Sequence, residues 1–135
     1  MGFLKAKSED NISSAKELIE LKYYGSSVHC SYYGSFQYMK FALRKYKNTS
    51  YEKIEADCLG HRSGTHGYIY DNILLALRSK IQDSRDYVYI KRIAKDLKTF
   101  RINSDYFNIK ISLDDAEKSI KFSEEIITSI KKNIP

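Results

Sequence analysis

Proline is nearly absent: among 135 residues the sole one is the terminal Pro135. No interior break of the kind proline imposes is encoded, so long helices are permitted. Tryptophan is missing, and cysteine occurs twice, as Cys30 and Cys58. These form no CxxC pair and no ligand spacing with His29, His61 or His66, which excludes a disulfide framework. Free thiols in a reducing cytoplasm are expected. The six glycines fall in no P-loop, GxGxxG or GxSxG pattern, and there is no HExxH. Scattered histidines without clustered carboxylates argue against a metal hydrolase, and no metal or cofactor is expected. No apolar run approaches the ~20 residues that cross a bilayer. The opening MGFLKAKSED lacks the apolar run and cleavage site of a signal peptide, and Ala6 spoils a myristoylation pattern. A cytoplasmic protein without membrane contact is expected.

What is present suits a single domain over residues 1–135 with its own core. Hydrophobic residues make up 42%, and the 12 Tyr and 6 Phe give an unusual aromatic supply. Tyrosine fills helix interfaces where its hydroxyl stays wet, and it also stacks on bases. The net charge of +6 permits attraction to nucleic acid without demanding it. Asn48-Thr49-Ser50 matches a glycosylation sequon and, with no secretory signal beside it, reads as a turn.

Helical periodicity dominates. In Ser26–Lys47, the residues Val28, Tyr32, Phe36, Met39, Leu43 and Tyr46 recur every three or four positions. Ser31, Ser35, Ala42, Tyr24 and Tyr38 flank that stripe, and the small ones would let another helix come close. Gln37, Lys40, Arg44 and Lys47 fill the opposite arc. This is the expected central helix. Before it, Ser14 and Glu17 suggest a capping box opening a helix that ends near Tyr24, with Gly25 as its C-cap and Ser26 capping the next. Such a short link predicts an antiparallel pair.

Ser50 caps a short helix over Tyr51–Leu59, closed by Gly60. A polar loop over 61–67 leads to a helix from about Thr65 to Lys80, with Ile69, Ile73 and Leu77 as its stripe. His66 then projects near that stripe and reads as a partly buried structural histidine. Asp83 or Ser84 caps a helix over Arg85–Arg101, with Tyr87, Ile90, Ala94 and Leu97 facing in. Ser112, followed by Asp114 and Asp115, opens a last helix with Ile120, Ile127 and Ile130 inward. No stretch alternates as a strand does. The predicted fold is all-α, an up-and-down antiparallel bundle of five or six helices with no β-sheet.

Arg101 falls inside the apolar arc of its helix, where a guanidinium needs a partner or an interface. Asp105 lies one turn on, and Tyr106 follows it. On spacing alone this is an i,i+4 pair at a helix end with a tyrosine packed over it. An arginine, a carboxylate and a phenol so close can also bind phosphate and orient a 2′-hydroxyl.

Several segments together resemble the HEPN-domain proteins, in particular the small single-domain bacterial and archaeal members. Ala15–Leu18 followed by Val28–Phe36 is similar to that family's AYYAAFHA core helix. Thr65-His66-Gly67 is similar to its threonine–histidine step, and Arg101-Ile102-Asn103-Ser104-Asp105-Tyr106 to its R..ADY motif. Ser112–Ala116, with Phe122 beyond, resembles its final helix. The resemblance implies a dimerising helical bundle. In HEPN ribonucleases, metal-independent RNA cleavage uses an arginine followed four to six residues later by histidine, from both subunits of the dimer. Many members are toxins of toxin–antitoxin or defence systems, often paired with a minimal nucleotidyltransferase. In this chain no histidine follows Arg101; position 106 is Tyr and position 107 is Phe. The expected site is therefore Arg101, Asp105 and Tyr106 for any endoribonuclease chemistry, with Arg101, Asn103, Tyr106 and His66 binding nucleotide or RNA. The alternative expectation is a non-catalytic module that dimerises, binds nucleotide or protein, and docks a nucleotidyltransferase.

Overall fold

The computed structural model describes residues 2–135. Six helices follow one another: α1 (Leu4–Glu20), α2 (Tyr24–Tyr46), α3 (Tyr51–Leu59), α4 (Gly64–Lys80), α5 (Ser84–Tyr106) and α6 (Leu113–Asn133). There is no strand among the described residues, so the all-α expectation holds. α2 is the hub, packing against α1, α4, α5 and α6, while α3 lies on α4. Val28, Tyr32, Met39 and Leu43 on the α2 stripe are wholly buried. Tyr46 is the exception; it is the last residue of α2 and is exposed. Residues of the opposite arc are engaged as well. Gln37 accepts from Asn11 Nδ2 at 2.8 Å, and Lys40 pairs with Glu55 of α3.

The first helix starts ten residues earlier than its expected Ser14 cap, at Leu4, and Ser14 lies inside it. Its packing face is carried by small and polar residues that hide the apolar period. Ser8 donates to the Gly34 carbonyl at 2.6 Å, and Ser27 of α2 donates to the Ala15 carbonyl at 2.7 Å. The numbering rises on α1 as it falls on α2, so the two are antiparallel, as expected. Gly34 lets the two helices come close: a Cβ on it would lie 2.6 Å from Ile12 Cδ1, so that side chain would have to turn aside. The turn between them uses Lys22, at φ 64°, rather than Gly25. Lys22 N donates to the Ile19 carbonyl and Tyr23 N to the Leu18 carbonyl, a Schellman-type closure. Gly25 belongs to α2, where a Cβ would crowd Ser104 Oγ at 3.1 Å.

The remaining caps follow the local sequence. Ser50 accepts from Lys53 N, Asp83 from Arg85 N, and Ser112 with Asp115 forms a complete capping box. On α4, Ile69, Ile73 and Leu77 are buried as expected. On α6 the buried position is Ile126, and the expected Ile127 is only half-buried. Ser123 of α6 donates to the Ser31 carbonyl at 2.6 Å, so the small residues do bring α2 and α6 close. α5 runs five residues past its expected end. That extension carries the Arg101–Tyr106 segment into the helix.

Candidate functional site

α5 lies antiparallel to α2, pinned at its end by Ser104 Oγ donating to the Gly25 carbonyl at 2.7 Å. This docking turns Arg101 toward the first half of α2. Its guanidinium carbon sits 4.6 Å from the centre of the Tyr32 ring, 5.9 Å from Tyr33 and 5.7 Å from Tyr106. The negative ring faces favour such a cation. The Arg101 side chain is 9% exposed and stands 3.7 Å from Asp105 Oδ2. Nη1 donates to the Tyr106 hydroxyl at 3.5 Å, the outer limit of a hydrogen bond. Nε is buried with no hydrogen-bond partner among the described residues. Burial works against the guanidinium's charge, yet Tyr32, Tyr33 and the Tyr106 hydroxyl hold its pKa above the ordinary value.

Two histidines reach this cluster from other helices. His66, in the first turn of α4, has Nδ1 2.7 Å from the Tyr32 hydroxyl. Its ring stacks on Phe36 at 4.2 Å between centres. Burial, with Arg101 and Lys98 nearby, lowers the His66 pKa and keeps the ring neutral near pH 7. The Tyr32 phenol is pushed up to about 12, mainly by burial, with Arg101 pulling the other way. A neutral phenol donating to a neutral imidazole is the state both shifts favour. His29 of α2 stands with Nδ1 3.0 Å from both carboxylate oxygens of Asp105. Its ring lies 4.7 Å from that of Tyr33.

Arg101, Asp105, Tyr106 and, through Tyr32, His66 are thus gathered in one cluster. Asn103 is not: two positions past Arg101, it points to a different side of α5 and makes no side-chain hydrogen bond there. His29 was not foreseen as a site residue. Its signal lay in α2 itself, where it precedes Tyr33 by one turn, but only the α2–α5 docking shows what it meets. Among the described residues, no group of three His, Cys, Asp or Glu side chains is gathered to hold a metal ion. No helix among the described residues is long and apolar enough to cross a membrane.

An exposed apolar rim borders the cluster. Tyr106, Phe107, Ile109 and Leu113 supply it from the α5–α6 link, and Leu21 and Tyr23 from the α1–α2 turn. Ile111 of the α5–α6 link lies near the start of α2, its Cγ1 3.9 Å from where a Cβ on Gly25 would stand.

Residues 65–134, more than half of the chain, match the family model described as the HEPN domain. The matched span holds His66, Arg101, Asp105 and Tyr106; His29 and Tyr32 precede it. No curated protein and no solved structure matches the chain.

Proposed function

Because the chain belongs to the HEPN-domain family, we propose that it is an RNA- or nucleotide-directed effector, the ribonuclease-like toxin half of a toxin–antitoxin or defence system. It acts in the cytoplasm at a cleft between two copies. The observation that carries this reading is Arg101: a guanidinium enclosed by three tyrosine rings, with a buried Nε that has no partner among the described residues and only long contacts to the Tyr106 hydroxyl at 3.5 Å and to Asp105 at 3.7 Å. A phosphate oxygen is a stronger acceptor than a phenol, so a phosphodiester can displace the Tyr106 hydroxyl and take its place. Tyr106 is 71% exposed at the last position of α5, free to swing aside and stack on a base. Arg101 then neutralises the charge that grows on phosphorus as the chain is cut.

The apolar rim supports a homodimer, since a second copy would cover these exposed aromatic and aliphatic side chains beside the site. The same rim favours a second reading, a non-catalytic module that dimerises and docks a nucleotidyltransferase. Incubation with total RNA, beside Arg101→Ala, separates them. Under the first reading the wild type cleaves RNA, and the variant is folded but inactive. Under the second, RNA stays intact and Arg101→Ala lowers only the melting temperature and self-association.

A further inference from the structure

The family pattern calls for a histidine a few residues after Arg101, and this chain has none there. The fold nevertheless brings an imidazole to Asp105, from a helix that precedes Arg101 by 72 positions in the sequence. Asp105 is shared. One of its oxygens lies 3.7 Å from Arg101 Nη1, and both lie 3.0 Å from His29 Nδ1. An ionised carboxylate can only accept, so Nδ1 donates its proton to Asp105 and Nε2 is the ring nitrogen that Asp105 does not engage. Nε2 makes no hydrogen bond among the described residues, and the His29 side chain is 48% exposed. Tyr33 lies against both groups, its ring 4.7 Å from His29 and 5.9 Å from the guanidinium. The imidazole and the guanidinium are therefore held to one small region by a common carboxylate and a common ring. His66 is placed differently: its Nδ1 is engaged by Tyr32 and its ring is stacked on Phe36.

We propose that His29 is the catalytic base of this site and Asp105 its positioning residue, an assignment that rests on the RNA-directed reading above. Nε2 takes the proton of a ribose 2′-hydroxyl as that oxygen bonds to the adjacent phosphorus, whose charge Arg101 meets. The bond from phosphorus to the 5′-oxygen breaks, and water gives that oxygen a proton. The imidazolium returns its proton to solvent. One strand ends in a 2′,3′-cyclic phosphate and the other in a 5′-hydroxyl, and no oxidant, metal or co-substrate is consumed.

The test is cleavage of an end-labelled RNA by wild type, His29→Ala, Asp105→Asn and His66→Ala, with melting curves for each. His29→Ala should lose about 10²–10⁴-fold in rate, the usual reach of one acid–base group, and added imidazole should restore part of it. Asp105→Asn should lower kcat more than it changes KM. His66→Ala should gain nothing from imidazole. Cleavage by His29→Ala at the wild-type rate would overturn the assignment while leaving the RNA-directed reading intact. A dead, well-folded His29→Ala that imidazole does not rescue would also overturn it. Wild-type protein that leaves RNA whole would remove both.

Discussion

Replacing Arg101 with methionine isolates what the buried guanidinium does for the fold. Several contributions oppose one another. The cation over Tyr32 at 4.6 Å is worth ~1–2 kcal/mol in a desolvated setting. The 3.7 Å contact with Asp105 joins two largely buried groups, where desolvation offsets most of the Coulomb gain. Against these stands an Nε buried without a partner, a cost of ~1–3 kcal/mol. Methionine keeps an unbranched chain and makes favourable contacts with aromatic rings, and Asp105 retains His29. The terms nearly cancel. Arg101→Met should therefore lie within about 1 kcal/mol of wild type, a shift of roughly 3–5 °C for a chain of this size. Urea unfolding at pH 7 and one fixed protein concentration measures it, with Ile73→Ala as the reference. That wholly buried residue should cost ~2–5 kcal/mol when truncated. If Arg101→Met falls as far as Ile73→Ala, the arginine is a keystone of the fold, and its burial needs no ligand to explain it.

Three further outcomes follow from the packing. Gly34→Ala puts a methyl 2.6 Å from Ile12 Cδ1; overpacking of ~1–3 kcal/mol set against a helix-propensity gain of ~1 kcal/mol predicts a net destabilisation of at most ~2 kcal/mol, read from the urea midpoint. Ser112→Ala removes half of the α6 capping box and should cost ~1 kcal/mol, with amide exchange rising first at the start of α6. Burial, then Arg101 and Lys98, lowers the folded-state pKa of His66 from 6.5, so the unfolded chain binds that proton more readily. The stability it contributes is complete above about pH 6.5 and is lost as pH falls from there through the lower folded-state value. In His66→Gln, unfolding free energy measured between pH 7.5 and 5 should show a shallower decline than in wild type.

Much of the fold was legible because its signals are local. The α2 stripe, the caps at Ser50, Asp83 and Ser112, and the run Ile69–Ile73–Leu77 need only a few neighbouring residues to be read. α1 was misplaced because Ser8 and Gly34 make that interface through a hydroxyl–carbonyl bond and a close backbone approach, neither of which registers as hydrophobic periodicity. The candidate site divides in the same way. Arg101, Asp105 and Tyr106 lie within one helix, and a charged residue in an apolar arc marks itself. His29 meets Asp105 across 76 positions of sequence, and no pattern within either helix states that those two faces dock. Asn103 shared the motif's spacing, yet the continuous helix turns it away from Arg101.

The central claim, that the enclosed Arg101 is kept for a phosphate, is tested most directly by binding. A 2′-O-methyl RNA oligonucleotide has no free 2′-hydroxyl to react, so its Kd can be measured for wild type and Arg101→Met at one salt concentration. Loss of a charge-assisted hydrogen bond predicts a Kd roughly 10-fold or more higher for the variant. Equal affinities for two equally folded proteins would contradict the account.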